Sequence, residues 1–386
     1  MGPTSRVDRR KFLGAAVAAA GAAACAPTAT GPAPAPASSR PAAGQKAAWE
    51  VEWDHLVAAA KQEGKLSVFT LVGAGYRKAA EAFQNAFGIA VDHGSEGTAS
   101  VWVPKMEKER EAGIYSYDVV VVPPNSALIR LKPKGTWDPI RPVIFRPDVL
   151  DDKMWREGFE KQFMDIDKQL AFGYSFDVAH MAAIDSTEVR PDEIKGLRDL
   201  VDPKWKGRIM ISDVRHGSIW IPMQWIRSRV PGADDLIKRL LIDQQPTFIR
   251  EDRAKAEAVV RKKSAVGLGI LSAPLQEFRD AGVAGHVQFL DRPEMDYATT
   301  YTVLLYNKAP HPNAAKLFIN WFLSKEGQTA WCKEIPQNSA RTDVQPFNPE
   351  GVATPGSQYY FANHESDYVK QSETLKFLTG LLGLSS

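Results

Sequence analysis

The sequence predicts an α/β fold, with mostly parallel β-sheets covered by helices on both faces. Strand-like and helix-like segments alternate along the chain, and this alternation is typical of that architecture. The strand-like segments are continuous apolar runs, as strands buried on both faces require. After an N-terminal segment that does not belong to the fold, the 386-residue chain is long enough for two domains of ordinary size. Two series of strand and helix units, one after the other, fit that number.

The first series of predicted elements begins with the compact apolar run KLSVFTL. Gly88 is expected to end the helix that follows, because glycine readily adopts the left-handed conformation found at helix ends. Pro123 and Pro124 end the last strand of the series. The predicted elements are strand 65–71, helix 76–87, strand 89–93, helix 101–112 and strand 118–122.

The second series contains a buried-strand run, AVGLGIL, and a strongly amphipathic helix near residue 318. We expect Pro222 to break one of its helices early, since proline lacks the N–H that the helix ladder needs. The sequence contains no short tandem repeat. The predicted elements are strand 208–212, helices 217–229, 234–242 and 251–263, strand 265–271, strand 300–306 and helix 313–323.

The N-terminus predicts export. Arg9 and Arg10 open a segment that resembles a twin-arginine signal, and the Ala-rich stretch behind them is too short to span a bilayer. Ala22-Ala23-Ala24-Cys25 resembles a lipoprotein box, although Ala22 stands where a branched residue is usual, so lipidation of Cys25 and plain cleavage both stay open. We expect a signal over 1–25, a Pro/Ala-rich tether over 26–47, and a periplasmic or cell-surface protein whose only membrane attachment is a lipid on Cys25.

Composition excludes several classes of protein. The net charge is +2, and residues 1–24 alone carry four basic side chains and one acidic one, a net +3, so the remainder is about −1 and lacks the basic excess of a nucleic-acid-binding protein. Cys332 is the only cysteine after Cys25, so if Cys25 is lipidated no disulfide framework stabilises the fold. The seven histidines are scattered, without the spacing of a metal motif. We therefore expect neither a metal nor another cofactor.

The candidate ligand-binding residues lie where the predicted strands end. Open α/β sheets bind ligands beyond the carboxyl ends of their strands, and helix N-termini there favour anions. Small polar residues occupy these positions, and the alternative interpretation of each is a simple helix cap. The candidates are Thr70, Ser95, Thr98, Asn125, Ser126, Asp213, Arg215, His216, Gly217, Ser218 and Ser272, with Trp220 two residues into the 213–218 group.

The chain resembles the periplasmic solute-binding proteins of ABC importers, in the subgroup that includes ferric-ion-binding proteins. The stretches LVDPKWKGRIMISD and APHPNAAKLFINWFLSKEGQTAW carry the resemblance most specifically, together with GKLSVFTLVG and EREAGIYSYDVVVV. It implies a class II binding-protein fold, in which two Rossmann-like α/β lobes are joined by a two-strand hinge and close around a ligand. The implied segments are lobe 1 over 48–165 and 288–336, lobe 2 over 176–287, and a C-terminal tail over 337–386 packed on lobe 2.

The resemblance also implies function. Such a protein is not an enzyme: it delivers a small solute to a permease and ATPase complex, and we expect it to act as a monomer. The family's anion-binding Ser-Gly step corresponds to Gly217-Ser218, with Arg215 and His216 beside it, so a small anionic solute is expected. Tyr301, near the implied hinge, is a further candidate for ligand contact.

Three alternatives to an anion importer stay open. Ferric binding is disfavoured, because the position after AVGLGIL reads Ser272-Ala273-Pro274 instead of the tyrosine pair of iron-binding relatives. A sensor that does not transport is the second alternative. The third, a serine hydrolase built on Asp213, His216 and Ser218, lacks the G-x-S-x-G elbow that presents a nucleophile.

Overall fold

The computed structural model describes residues 46–384. The expected signal, Cys25 and nearly all of the expected tether therefore lie outside the described residues. The α-helices are α1 Ala48–Glu63, α2 Ala74–Phe87, α3 Ala99–Glu111, α4 Pro124–Ser126, α5 Pro147–Leu150, α6 Gly217–Arg229, α7 Ala233–Lys238, α8 Asp252–Val260, α9 Ser272–Asp280, α10 Pro312–Phe322, α11 Lys325–Glu334 and α12 Glu365–Leu381.

The strands are short, and several helical turns extend the α-helices. The strands are β1 Lys65–Leu71, β2 Ala90–Glu96, β3 Val119–Val122, β4 Trp137–Asp138, β5 Ala171–Gly173, β6 Asp177–Ala179, β7 Ala182–Asp185, β8 Ile209–Ser212, β9 Thr247–Ile249, β10 Val266–Leu268, β11 Val287–Leu290, β12 Tyr297–Thr299, β13 Thr302–Tyr306 and β14 Tyr360–Phe361. A π-helical turn, Ala127–Leu131, and a 3-10 turn, Lys132–Lys134, continue α4, and a second π turn, Arg239–Asp243, continues α7.

The first sheet has the strand order β2-β1-β3-β13-β4, with β5 also paired to β13. Strands β1, β2 and β3 are mutually parallel, and β13 runs antiparallel to β3. Successive valines of β3 point to opposite faces, so Val119 and Val121 join one apolar core while Val120 and Val122 join another. Both faces are therefore buried, which explains why β3 is a continuous apolar run.

The second sheet repeats this arrangement with the order β11-β7-β10-β8-β9. Strand β8 is parallel to both β9 and β10, whereas β7 is antiparallel to β10 and β11. Ile209 and Ile211 of β8 contribute to one core, and Met210 contributes to the core on the opposite face. The carboxyl ends of β8, β9 and β10 consequently meet at one edge of this sheet.

A third, small sheet lies in the connections between the two larger ones. The chain passes from β5 of the first sheet through β6 to β7 of the second, and returns from β11 through β12 to β13. Strands β6 and β12 pair antiparallel, and β14 adds to β12 in parallel. The joining sheet therefore has three strands; the third comes from the tail, and its two residues are too few to predict from periodicity.

The tail contacts both halves of the molecule. Ala340 lies in a core of the first sheet, and the buried Arg341 donates to the carbonyls of Leu323, at 3.0 Å, and Asp148, at 3.1 Å. Further along, α12 packs against α6, with Leu378 buried in a core of the second sheet. The segment between them contributes β14 to the joining sheet.

Two local expectations differ from the structure. Helix α6 runs unbroken through Pro222, which is buried, so the expectation of an early break was wrong. The missing N–H of Pro222 removes a single ladder bond, and the apolar packing of the helix compensates for that loss. Strand β10 ends at Leu268, before the predicted residue 271, because Gly269 has φ +79° and leaves the extended conformation.

Candidate functional site

Five of the candidate residues gather at the carboxyl edge of the first sheet, which we name the first edge. Because β1, β2 and β3 are parallel, their ends lie side by side, and Thr70 is directly opposite Ser95. Asn125 and Ser126 lie in α4, immediately after β3. Tyr301 immediately precedes β13, whose first residue pairs with the last residue of β3. The fold thus brings residues from four separate segments to one edge.

The side chains at the first edge differ in their exposure to solvent and in their hydrogen bonds to the protein. Thr70 is buried, and its hydroxyl donates to the Leu71 carbonyl at 2.7 Å and lies 2.8 Å from His93 Nε2. Burial lowers the pKa of His93, which favours its neutral ring. Ser95 and Asn125 are exposed, and Asn125 Oδ1 accepts the Ser126 N–H at 2.6 Å. The exposed side chains offer polar contacts to solvent, whereas Thr70 supports the edge from inside.

Thr98 and Tyr301 flank these residues. Thr98 is the exposed residue before α3, and its hydroxyl is 2.8 Å from that of Ser100. Tyr301 is partly exposed; burial raises its pKa, and its hydroxyl lies near that of Tyr76. Both residues therefore lie at the rim of the first edge, with their hydroxyl groups already in contact with protein.

The second edge is the carboxyl edge of the second sheet, and its centre is Asp213. This carboxylate accepts hydrogen bonds from the Arg215 backbone N–H at 3.0 Å, from Arg215 Nε at 2.9 Å and from Arg215 Nη2 at 2.7 Å. Arg250, directly after β9, adds a bond from Nε at 3.0 Å. The hydrogen bonds from Arg215 hold the pKa of Asp213 far below its usual range. An ionised carboxylate thus fixes two guanidinium groups, and we name these three residues the Asp213 cluster.

His216 and Ser218 form the start of α6. The Ser218 N–H donates to His216 Nδ1 at 3.2 Å, which makes His216 the side-chain cap of this helix. Burial, followed by the nearby charge of Lys255, lowers the pKa of His216. The Ser218 hydroxyl donates to the Gly269 carbonyl at 3.1 Å and lies 2.7 Å from His216 Nδ1. A hydroxyl has one proton, so Ser218 in this conformation has none left for a ligand.

The remaining second-edge candidates, Gly217, Trp220 and Ser272, differ in their access to a ligand. The N–H of Gly217 has no acceptor among the described residues and stays available to an anion. Trp220 is buried, with its ring 6.5 Å from that of Tyr368 on α12, so it packs against the tail helix. Ser272 is exposed as the first residue of α9.

The arrangement does not form a hydrolase triad. His216 and Ser218 are in contact, as nucleophilic catalysis requires, but a third group must orient the histidine. The carboxylate of Asp213 instead accepts from Arg215 and Arg250. The Ser218 hydroxyl is also buried, so a substrate would have no access to it.

A cavity of about 430 Å³ lies beside the Asp213 cluster. Its wall combines charged groups with large apolar side chains, including Phe248, which is 40% exposed. Arg250 and Phe248 were not among the predicted site residues, because the short strand β9 was not recognised in the sequence. Once the run TFI is taken as a strand, the strand-end rule selects Arg250, whereas Phe248 lies within the strand. The lining residues are Asp213, Val214, Arg215, Phe248, Ile249, Arg250, Leu382 and Leu384.

One group of side chains outside both edges resembles a metal-binding cluster. His180, Asp291 and Asp296 place three ligand-type atoms within 4.8 Å of one another. Both nitrogens of His180 are engaged, however: Nδ1 lies 2.7 Å from Asp296 Oδ2, and Nε2 lies 3.0 Å from the Glu350 carbonyl. Asp291 accepts from the Tyr359 hydroxyl at 2.7 Å. These hydrogen bonds connect Glu350 and Tyr359 of the tail to the segments that flank β6 and β12.

The fold and the family model agree on the class of protein. Residues 78–357 match the family of bacterial extracellular solute-binding proteins, so the chain belongs to this family. The fold is that of the two-lobed class II binding proteins, as the sequence predicted. The family comprises solute-binding proteins and is not a class of enzymes, and its members act outside the cytoplasm. No helix within residues 46–384 is long and apolar enough to span a membrane.

Several solved structures share the fold at low sequence identity. Iron-bound HitA from Pseudomonas aeruginosa is 18% identical, with a TM-score of 0.60 over 82% of this chain and 99% of that one. The Trichodesmium protein IdiA (FutA), in complex with iron and citrate, is 18% identical, with a TM-score of 0.64 over 82% and 99%. The spermidine/putrescine ABC-transporter protein PotD from Streptococcus pneumoniae is 14% identical, with a TM-score of 0.60 over the same shares. No curated protein matches the chain.

Proposed function

We propose that this protein is the solute-binding component of an ABC importer and that it captures a small anionic solute. Family membership supports capture of a solute outside the cytoplasm, and an ABC-transporter protein such as PotD shares the fold. The single observation that carries the anionic character is the Asp213 cluster, in which two guanidinium groups surround one carboxylate at a sheet edge. Free guanidinium N–H groups are good partners for carboxylate or phosphate.

The solute-binding site in this proposal lies between the first and second edges. The exposed Ser95, Thr98, Asn125 and Ser272, together with Ser126, supply neutral polar contacts, whereas Arg215 and the Gly217 N–H supply donors for the anion. The other candidates hold these groups in place, because their own polar atoms or rings already contact the protein. They are Thr70, His216, Ser218, Trp220 and Tyr301. Lobe 1 is formed by 48–165 and 288–336, and lobe 2 by 176–287; rotation about the joining sheet closes them.

The rest of the transport cycle belongs to the same proposal. A permease and ATPase complex accepts the closed, solute-bound monomer. Export follows the twin-arginine route, and a lipid on Cys25 with the tether 26–47 keeps the protein near its permease. The nearby guanidinium groups disfavour a metal cation at the second edge, because like charges repel at short range.

A thermal-denaturation screen tests the proposal. The chain is heated with phosphate, organic acids, polyamines, sugars or Fe³⁺, and unfolding is followed by tryptophan fluorescence. A bound solute at ~100 times its Kd stabilises the fold by about 2.7 kcal/mol. We expect stabilisation by an organic or inorganic anion and none by polyamines; a response confined to Fe³⁺ or polyamines would overturn the anionic character.

Transport itself needs a second measurement. Cells that lack the chain should fail to take up the radiolabelled solute that the screen identifies, and the intact gene should restore uptake. Uptake that continues unchanged without the chain would assign it to sensing instead of import.

A further inference from the structure

We infer that the solute is an amphipathic monocarboxylate whose carboxylate binds Arg215 and Arg250 and whose apolar part fills the cavity beside Asp213. The inference rests on the proposed function and deepens it by naming the class of solute. The carboxylate lies at the second edge, on the side of Arg215, and the apolar part extends away from the first edge into a cavity lined only by second-sheet and tail residues. It also adds Arg250 and Phe248 as specificity-determining residues. Three features carry it: the charge of the cavity wall, the free hydrogen-bond donors and the exposed apolar side chains.

The charge of the cavity wall favours one negative charge. Its charged residues are the two arginines and Asp213, so one positive charge stays uncompensated. Neither neighbouring acid lines the cavity: Asp252 pairs with Lys255, and Glu251 caps α8 by accepting the Ala254 N–H at 2.7 Å. A monoanion neutralises this excess, whereas a dianion or trianion would add uncompensated negative charge beside Asp213.

The donors at the wall suit a carboxylate. Arg250 gives only its Nε to Asp213, and its two Nη groups have no acceptor among the described residues. Arg215 gives Nε and Nη2 to Asp213 and keeps Nη1. Because Asp213 fixes both side chains, the remaining N–H groups are oriented before a ligand arrives, which lowers the entropy lost on binding.

The remaining wall is apolar. Phe248 and Leu384 are among the exposed large hydrophobic residues of the chain, at 40% and 42%, and both line this cavity beside Val214, Ile249 and Leu382. Their exposure to water is unfavourable, so covering them with a hydrocarbon group would contribute to binding. The cavity volume of about 430 Å³ lies in the range of small-molecule sites. Inorganic phosphate would leave this surface uncovered.

Isothermal titration calorimetry with the chain and a graded set of probes tests the inference. The probes are butyrate, hexanoate and octanoate, with octanamide as the neutral match of octanoate and inorganic phosphate as the apolar-free anion. We expect affinity to rise about four-fold per buried methylene. Octanamide should bind at least ten-fold more weakly than octanoate. Equal binding of octanoate and octanamide, or tighter binding of phosphate, would overturn the inference.

Two variants with a control locate the site. Arg250→Gln should weaken octanoate binding at least ten-fold, while Arg253→Gln, three residues further along the chain and paired with Glu277, should leave it unchanged. Phe248→Ala should weaken octanoate more than butyrate. Arg250 and Phe248 are exposed, so both variants should fold, and a thermal melt checks this.

The outcomes separate this inference from the proposed function. If octanoate gives no heat, or binds Arg250→Gln normally, while another anion stabilises the protein, the inference fails and the proposed function stands. If no anion of any class binds, the proposed anionic solute fails as well. Octanoate binding that is lost in Arg250→Gln and kept in Arg253→Gln supports both.

Discussion

At the scale of single residues, Asp213 organises the second edge. Its carboxylate forms ion pairs with Arg215 and Arg250, which come from different segments. Replacement by asparagine therefore removes the negative charge that holds both guanidinium groups. Hydrogen bonds to a charged group contribute about 1.5–3 kcal/mol, and we expect Asp213→Asn to lose about this much stability at pH 7. Urea denaturation of both proteins measures the loss. Asp192→Asn, in an exposed ion pair, should change stability by less than about 0.5 kcal/mol.

The pKa of the Asp213 carboxyl group determines how the stability loss in Asp213→Asn depends on pH. The pKa of Asp213 is depressed in the folded protein, so its stabilising contribution is complete above its unfolded value of about 4. The contribution decreases as pH falls from there toward the folded pKa. The stability difference between the parent chain and Asp213→Asn should therefore be constant from pH 7 to 5 and shrink below pH 4. A difference that stays constant down to pH 3 would contradict this assignment.

Gly269 is the glycine that the second edge requires. It has φ +79°, and an added Cβ would lie 2.7 Å from Ser218 Oγ and 2.9 Å from Ser212 Cβ. We expect Gly269→Ala to destabilise the protein by about 2–4 kcal/mol, from backbone strain together with overpacking. Gly207→Ala is the matched control, because Gly207 has φ +73° but open space, so only about 1 kcal/mol of strain applies. Equal losses in the two variants, measured by urea denaturation, would show that packing at Gly269 is unimportant.

At the scale of elements, Glu63 caps a helix that follows it by 250 residues. This last residue of α1 accepts the backbone N–H groups of Asn313 at 3.1 Å and Ala314 at 2.8 Å, at the start of α10. His311, the preceding cap position, provides no side-chain cap. We expect Glu63→Ala to cost about 1–2 kcal/mol in a urea titration and Glu63→Gln less, because glutamine retains an acceptor. Glu81→Ala, at an exposed site of α2, should be neutral; equal losses at both sites would contradict the capping role.

Local sequence patterns predicted the long helices and strands well, but they predicted the contacts of individual side chains poorly. Strand β1 and helix α6 have the predicted bounds, because apolar periodicity and a strand-end signal define them locally. Strand β9 was missed, since three residues carry too little periodicity, and Arg250 was missed with it. The burial of Thr70 and Ser218 depends on partners 23 and 51 residues away, which a linear pattern does not reveal. The edges of the sheets were therefore predictable, whereas the engagement of each side chain was not.

At the scale of the whole molecule, the tail connects the two lobes a third time. After β14, Glu365 opens α12, and its carboxylate lies 2.6 Å from Lys132 Nζ and accepts the Ile166 N–H at 2.8 Å. Both partners belong to the first-sheet half, whereas α12 packs on α6 of the other half. Any rotation of the lobes therefore either carries this contact along or breaks it. The tail therefore forms a third connection between the two halves, beside the joining sheet.

A double-mutant cycle tests this connection. The Lys132 and Glu365 side chains are only 18% and 14% exposed, so their attraction is less screened by solvent than that of a surface pair. We expect Lys132→Met and Glu365→Gln to show a coupling energy of about 1–2 kcal/mol in urea denaturation. The control is Lys65 with Asp92, 2.9 Å apart but largely exposed and within one sheet, where coupling should stay below about 0.5 kcal/mol. Hydrogen exchange at β14 should also accelerate in Glu365→Gln, because that strand precedes the lost contact. Equal coupling in the two cycles, with unchanged exchange at β14, would show that the tail does not hold the lobes together.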